Sequence, residues 1–453
     1  MHSTELSNAT MLSGSIPRGI LSFAFPIFIG NLFQQFYNTA DALIVGHFLD
    51  KQSLAGVTSS SFLIFMFVGF LNGIALGAGV LISKYFGARD EAGMHHAVHT
   101  DIAFGLAGGL ALTVLGVLFA RPLLTLMGTP ADVLPHSVAY FRTYFCGSLA
   151  VFLYNIVTGI LQAVGDSRHP LYYLILSSGI NILLDLLFVG VFRFSVASAA
   201  AATVLSQFVS AALAFRRLMK IDAGYRVVPK EIRFDPQMFG RILRYGLPSG
   251  VQNSVIGFAN VIVQSSINHF DTDATAGCGA YFKLEGFAFL PVTCFAMALS
   301  TFVSQNIGAA QQSRVKEGCR FGVLCSVLLT EGIGILFWIF APFFIGLFND
   351  DPSVIAYGVR QMRTESLFYL FLAFSHCLAG IMRGAGRAYV PMSVMVLCWC
   401  VIRVAYIRVT VSLTDNIFYV FTAYPLTWLL SSVLLLIYYC KVDWLGTKKT
   451  VAC

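Results

Sequence analysis

Long apolar stretches recur along the whole chain, and charged residues or Pro/Gly clusters separate them. A helix needs about 20 mostly apolar residues to cross the roughly 30 Å hydrocarbon core of a bilayer. Twelve stretches meet that length, so the pattern predicts an all-α polytopic membrane protein with twelve transmembrane helices. The predicted spans are 20–47, 55–83, 99–120, 137–163, 170–192, 195–217, 246–270, 276–304, 319–348, 358–382, 390–411 and 416–440.

One connection between the predicted spans is long and polar, and it lies near the middle of the chain. It divides the sequence into an N-terminal lobe, 20–217, a basic linker, 218–245, and a C-terminal lobe, 246–440. Residues 1–19 and 441–453 are the predicted termini. Because the number of predicted spans is even, we expect both termini on the same side of the membrane.

The charge content agrees with a membrane protein. Charged side chains make up 11% of the 453 residues, against about 25% in soluble domains, and this excludes a cytosolic enzyme. With cytoplasmic termini, the inside segments hold 20 of the 29 Lys and Arg residues, as the positive-inside rule requires. The same bias accounts for the net charge of +7 without a nucleic-acid partner. We therefore expect a multi-pass protein of the cell membrane with both termini cytoplasmic.

The two predicted lobes repeat each other at an offset of 221–222 residues. Pro26 aligns with Pro248, and the segment 159–170 aligns with 380–391, with glycine, isoleucine, glycine and proline at matching positions. Six spans per lobe place both lobes in the membrane in the same orientation, related by a pseudo-two-fold axis along the membrane normal with a cleft between them. This architecture is typical of alternating-access transporters. A duplication retained only for packing is the alternative.

Polar residues share one face of the first predicted span, where an ionisable group costs at least a few kcal/mol and usually marks a site. Tyr37 lies one turn before the acid of this face, and Pro26 lies lower on the same helix, where it removes an N–H and favours a kink. We interpret Pro26 as a hinge, with a fixed kink as the alternative. The polar face consists of Asn31, Gln34, Asn38 and Asp41.

The fifth predicted span carries a second acid. Asn181 and Asp185 are four residues apart and share one helical face, and Thr203 adds a hydroxyl on the sixth span. We interpret these residues, with Asp41 and Tyr37, as an ion-coupling site, and Gln34 and Asn38 as substrate contacts.

This acid pair has no counterpart in the second lobe. At the repeat offset Asp41 aligns with Val263 and Asp185 aligns with Tyr406, neither of which is an acid. A purely structural carboxylate would tend to appear in both copies of the repeat. The asymmetry therefore indicates chemistry placed in the N-terminal lobe.

Other ionisable residues have weaker patterns. Glu285, on the eighth predicted span, is a candidate substrate contact that would attract cations, with a structural role as the alternative. His95 and His99 have the i, i+4 spacing of a metal pair, but no third ligand is adjacent, so we predict a solvated helix end and no firm metal site. The sequence has no nucleotide-binding or hydrolase motif in a usable context, which disfavours an ATP-driven pump or an enzyme and implies no cofactor.

The chain resembles the MATE (multidrug and toxic compound extrusion) family from its first predicted span to its twelfth. The resemblance implies two six-helix bundles in a V shape, and export of amphipathic, often cationic, compounds against inward H⁺ or Na⁺. It rests on the segments 24–26, 83–88, 159–170, 245–248, 289–291, 305–309 and 384–386, together with Gln34, Tyr37 and Asp41.

Within that family the chain is similar to the DinF-like branch. This branch uses an aspartate in the first span with Asn and Asp in the fifth, whereas the NorM-like branch also relies on acids in the seventh and tenth spans. Here the seventh span has no acid, and the tenth has His376 where an acid would be informative. The residues that match the DinF-like pattern are Asp41, Asn181, Asp185, Tyr37, Pro26 and Thr203.

Two carboxyl groups in one poorly solvated pocket oppose each other's ionisation, so Asp41 and Asp185 suit a shared, coupled proton. With Asn181 and Thr203 they also form a hard-oxygen set that suits Na⁺, and the sequence does not choose between the ions. The resemblance predicts a monomeric secondary antiporter for small amphipathic or cationic substrates, in contact with membrane lipids. A flippase of a lipid-linked or other amphipathic metabolite from the same superfamily is the alternative.

Overall fold

The structure is a computed structural model that describes residues 11–445. Residues 1–10 and 446–453 lie outside the described residues, so the predicted termini 1–19 and 441–453 are covered only in part. Within residues 11–445 the chain forms helices joined by short connections, with no strand.

Six helical segments make up the first half of the chain. Their lengths exceed the predicted spans because the polar residues that flank each apolar stretch continue the helix. The segments are α1 (Ile16–Phe48), α2 (Lys51–Ala88), α3 (Glu91–Leu126), α4 (Leu134–Cys146 and Ser148–Ala163), α5 (Arg168–Asp185, continued by a π-helical turn, Leu186–Val191) and α6 (Ala197–Lys220).

The second half repeats this order, including the π-helical turn in its fifth member. A short linker precedes it. The segments are α7 (Pro236–Ile267), α8 (Thr272–Gly308), α9 (Gln312–Ile339, then Ala341–Gly346), α10 (Pro352–Glu365 and Tyr369–Gly384, joined by the 3-10 turn Ser366–Phe368), α11 (Tyr389–Met395 and Arg403–Thr414, joined by the π-helical turn Val396–Ile402) and α12 (Phe418–Lys441).

Ten of the described helices are long and apolar enough to cross a membrane, and the two halves of α4, bent by 50°, make an eleventh span. The twelfth, α7, has 32 residues and is less apolar, since it carries Gln252, Asn253 and Asn260. Each predicted span coincides with one of these helices, so the predicted all-α fold with twelve transmembrane helices is confirmed.

Residues 29–250 form one compact unit, which we call the N-terminal unit. Its core consists of apolar side chains from α1 to α6, together with the linker and the first turns of α7. A Cβ on Gly73 of α2 would collide with the backbone of Gly250, and one on Gly77 would collide with Gly246. Only glycine allows α2 and α7 to pack backbone against backbone at these two positions.

The C-terminal unit combines the described residues up to Phe28 with those from Val251 onward. Its central helix is α8, which packs against α9 and α10 and is buried along most of its apolar length. The division between the units falls two residues after Pro26 in α1 and two residues after Pro248 in α7, the two prolines that the internal repeat aligns.

The linker is shorter than the polar segment 218–245, because α6 continues to Lys220 and α7 begins at Pro236. The remaining residues contain one 3-10 turn, Pro229–Glu231. They are held in place: Val227 is buried in the core of the N-terminal unit, and the Arg226 guanidinium donates to the carbonyl of Met219 at 3.1 Å.

Candidate functional site

The N-terminal unit brings the predicted acid pair and its neighbours together from three helices. Tyr37 and Asp41 lie one turn apart on α1, Asn181 and Asp185 have the same spacing on α5, and Thr203 lies on α6. Residues four apart share one helical face, so α1 and α5 each present two polar groups side by side. Asp185 is the last residue before the π-helical turn of α5, and such turns often accompany functional sites.

Burial is deepest on the α5 side of this cluster. Asp185 is 0% exposed and Asn181 1%, whereas Asp41 and Tyr37 are half-buried. The Asp41 and Asp185 carboxyl groups lie beside each other, and Tyr37 lies beside Thr203 within electrostatic range of both acids. The Asn181 amide donates to the Thr203 hydroxyl at 3.4 Å, which in turn donates to a carbonyl of its own helix at 3.2 Å.

Several oxygens of this cluster are buried without a hydrogen-bond donor among the described residues. They are one carboxyl oxygen of Asp41, both carboxyl oxygens of Asp185 and the amide oxygen of Asn181. No described Lys, Arg or His forms an ion pair with either aspartate. A buried acceptor without a donor costs about 1–3 kcal/mol, and an unpaired buried charge costs more. A proton shared between the carboxyl groups would give two of these oxygens a partner, and a small hard cation would bind all four. The residues therefore suit both ions.

Two tyrosines that were not predicted as site residues also belong to this cluster. Tyr140 and Tyr144 lie one turn apart on the first half of α4. Tyr140 interacts electrostatically with Tyr37 and with both acids. Tyr144 interacts electrostatically with Tyr37. Their i, i+4 spacing could have indicated that both tyrosines share one helical face. Aromatic residues at that spacing usually pack in a core, so the spacing did not indicate a site.

The other predicted residues of α1 differ from the acid pair in their exposure. Gln34 and Asn38 are exposed, and Pro26 is buried inside the helix in the C-terminal unit. Gln34 and Asn38 are therefore not buried with the acid pair.

The C-terminal unit contains a second pair of buried acids, on α8 and α10. Glu285, predicted as a substrate contact, is 6% exposed and lies among the side chains of its own unit. Glu365 is 0% exposed and accepts hydrogen bonds from the Tyr281 hydroxyl at 3.0 Å and the Gln361 amide at 2.8 Å. This acid therefore has donors that Asp185 lacks.

A buried arginine accompanies these acids. Arg403 of α11 is 2% exposed and donates through Nε and Nη2 to the Thr427 hydroxyl at 3.1 and 2.8 Å. Its guanidinium stacks 4.3 Å from the Tyr424 ring centroid and 5.0 Å from that of Trp399. It lies within electrostatic range of Glu285 and Glu365. Arg403 was not predicted as part of a site, although a charge in the middle of a predicted span was a visible signal.

The fold and the site together define a class: a polytopic α-helical membrane protein built from a repeated six-helix unit, with a buried acid pair in one unit. A family model described as MatE matches residues 26–187 and 248–407. The chain therefore belongs to the MatE family, whose members are membrane transporters, and it is not an enzyme.

Individual proteins agree with this assignment. The chain is 28% identical over 433 residues to the probable multidrug resistance protein YoeA of Bacillus subtilis, covering 94% of each chain. It is 22% identical to the multidrug export protein MepA of Staphylococcus aureus over 83% of this chain and 84% of that one. Its fold matches an outward-facing multidrug resistance MATE family transporter with a TM-score of 0.90 and 21% identity, over 97% of this chain and 98% of that one.

Proposed function

We propose that this protein is a secondary active multidrug efflux antiporter that exports amphipathic, cationic compounds in exchange for inward H⁺ or Na⁺. The observation that carries the proposal is the set of buried oxygens on Asp41, Asn181 and Asp185 that lack donors among the described residues. The efflux role is supported by relatives named as multidrug resistance and multidrug export proteins.

The acid pair would bind the coupling ion. When one carboxyl takes up a proton, its O–H donates to the neighbouring carboxylate, which gives two acceptors a partner. Na⁺ would instead be held by oxygens of Asp41 and Asp185, with the Asn181 carbonyl and the Thr203 hydroxyl completing a hard-oxygen set. Tyr37, Tyr140 and Tyr144 would line the site with hydroxyl groups.

Ion binding and substrate binding are coupled through charge. Loading the acid pair with one ion from outside removes one negative charge from the site and weakens its hold on a cation, so the substrate leaves. Releasing the ion to the inside restores the negative charge. Exchange of one H⁺ for one monovalent cation moves no net charge, so only the pH difference drives it, at about 1.4 kcal/mol per pH unit. A further proton would add about 2.3 kcal/mol per 100 mV.

We also propose a family branch, a hinge and an orientation in the membrane for this protein. We assign the chain to the DinF-like branch on the residues of its acid site. Pro26 is the hinge of α1, since it lacks an N–H and the compact units divide two residues after it. The protein acts as a monomer among membrane lipids with both termini in the cytoplasm.

The test is uptake of a fluorescent organic cation into proteoliposomes under an imposed pH gradient or an imposed Na⁺ gradient, applied one at a time. We expect one of the two gradients to drive uptake. Asp50→Asn serves as a control, since Asp50 caps α2 at an exposed position through Ser53 N at 2.8 Å and Asn caps equally well. If neither gradient drives uptake and the same vesicles translocate a labelled lipid-linked sugar, the flippase alternative replaces the proposal.

A further inference from the structure

The linker supplies a third group to the histidine pair at the start of α3. His95 and His99 are one turn apart on this helix, and their rings are 3.9 Å apart between centroids with a 30° tilt. Glu231, in the 3-10 turn of the linker, places a carboxylate oxygen 2.9 Å from His95 Nε2. One ligand atom from each of the three residues lies within 4.8 Å of the other two. The long sequence separation hid this third group.

His99 is already oriented as a metal-binding histidine would be. It is 2% exposed, and its Nδ1 donates to the carbonyl of His95 at 2.8 Å. This bond leaves Nε2 as a bare lone pair, and metal-binding histidines commonly have their other ring nitrogen held in this way. The lone pair accepts the backbone N–H of Val228 at 3.0 Å.

The surroundings allow a cation to reach the site. Side chains of His95 and Glu231 are 35% and 55% exposed, so both can adjust around an ion while His99 stays fixed. The neighbouring His96 is directed instead toward Asp235, at 3.8 Å, and takes no part. Two imidazoles and one carboxylate are the donor set of many three-ligand zinc sites, in which water fills the fourth position. Imidazole also suits Ni²⁺ and Cu²⁺, whereas Mg²⁺ and Ca²⁺ prefer oxygen ligands.

We propose that His95, His99 and Glu231 form a binding site for a divalent transition metal, best suited to Zn²⁺, that clips the linker to the start of α3. Zn²⁺ takes the lone pair of His99 Nε2 and displaces the Val228 N–H from it. Metal binding therefore changes the backbone contacts of the linker that joins α6 to α7. The site is independent of the acid pair and of the proposed antiport.

Binding of Zn²⁺ to the purified full-length protein, measured by isothermal titration calorimetry with the thiols alkylated, tests the proposal. Alkylation is needed because the exposed Cys146 and Cys440 are free thiols that bind Zn²⁺ themselves. We expect one site, and at least a tenfold loss of affinity in His95→Ala and in Glu231→Gln. Both positions are partly exposed, so these variants keep the fold. The matched control is His96→Ala, which removes a neighbouring histidine and should bind Zn²⁺ as the wild type does.

A spectroscopic measurement gives a second readout. Co²⁺ at the same site should produce the visible absorption of a cation with nitrogen and oxygen ligands, and Zn²⁺ should displace it. Unchanged Zn²⁺ affinity in His95→Ala and Glu231→Gln would overturn the proposal. Equal loss of affinity in His96→Ala and His95→Ala would overturn it as well, since binding would then follow the number of exposed histidines rather than the cluster.

Discussion

The two units of this transporter use the same helical scaffold to bury two carboxyl groups each, but they balance the charge differently. In the N-terminal unit, Asp41 and Asp185 lie beside each other with no basic side chain paired to them among the described residues. In the C-terminal unit, Glu285 and Glu365 share their surroundings with Arg403. A buried carboxyl group is either protonated or balanced by a positive charge. The C-terminal acids have a fixed positive neighbour, whereas the N-terminal acids have none among the described residues.

Hydrogen bonding follows the same division. Both oxygens of Glu365 have donors, from Tyr281 and Gln361, while both oxygens of Asp185 have none within residues 11–445. A duplicated unit can therefore diverge into one cluster whose acid accepts hydrogen bonds from its own side chains and one whose acid oxygens have no donor among the described residues. We infer that ion coupling resides in the N-terminal unit.

The largest expected effect comes from removing the titratable group of either aspartate. Asp41→Asn keeps the size and polarity of the side chain but cannot take up a proton or balance a cation. We expect loss of gradient-driven export in everted vesicles, with normal insertion and abundance. Asp185→Asn should act in the same way. The double variant should add little, because groups that bind one ion together are not additive.

The matched control for this prediction is an asparagine placed where no ion is bound. Asp50→Asn meets that requirement at the exposed start of α2 and should export normally. Wild-type export by Asp41→Asn at equal abundance would contradict the role of the acid pair.

Removal of Arg403, the fixed positive charge of the C-terminal unit, should have a large effect on stability. Arg403→Met retains the approximate volume of the side chain but leaves two buried acids without a positive neighbour and Thr427 without its donor. Breaking a buried charge cluster costs about 3–5 kcal/mol, so the melting temperature in detergent should fall sharply. Adding Glu365→Gln should recover part of the loss, since it removes one of the uncompensated acids. No recovery would mean that packing against Trp399 and Tyr424, rather than charge, explains the role of Arg403.

A moderate effect is expected at Glu285. Because Arg403 already lies within range of this carboxyl group, Glu285→Gln should weaken binding of cations by less than about tenfold, or about 1.4 kcal/mol. Neutral compounds should bind as before, and uptake should remain driven by the ion gradient. Paired measurements of substrate binding and ion-driven uptake check this. Uptake that becomes independent of the gradient while binding is preserved would show that the C-terminal cluster also couples the ion.

Sequence patterns sufficed for the spans because each apolar stretch is long enough to cross a bilayer on its own, even where α4 bends by 50°. Asp41, Asn181 and Asp185 were also visible, because a buried acid or amide in an apolar stretch is rare. What the sequence could not show was which distant side chains meet. Tyr140 and Tyr144 are typical core residues by composition, and only the packing of α4 places Tyr140 near the acids and Tyr144 near Tyr37.

The charge balance of the C-terminal unit was hidden for the same reason. Glu365 and Arg403 were isolated charges on different spans, and no spacing rule connects residues that lie 38 positions apart. The contact between Glu231 and His95 was hidden for the same reason, because these residues lie 136 positions apart in the sequence and meet only where the linker packs against α3. Long-range pairing is decided by tertiary packing, and one sequence carries little information about it.

The smallest expected effect on transport comes from building an acid into the C-terminal unit at the repeat position of Asp41. Val263 is 1% exposed and packs in an apolar cluster with Ile267, Ile407 and Phe421. Tyr406, the repeat position of Asp185, is a phenol that shares a hydrogen bond with Thr422 at 3.2 Å. A carboxyl group placed at 263 therefore gains no second acid with which to share a proton.

We expect Val263→Asp to leave the number of coupled ions per exported substrate unchanged, because a lone buried aspartate stays protonated and offers no binding change during the cycle. The substitution should instead lower the stability of the protein, because it removes apolar packing and buries a polar group. Val263→Asn controls for this cost, since it introduces similar polarity without a titratable group. The ratio of ion to substrate fluxes in proteoliposomes measures the effect. A higher ion-to-substrate ratio in Val263→Asp than in Val263→Asn would show that a single acid suffices to couple an ion. The functional difference between the two units would then depend on the presence of an acid and not on the residues around it.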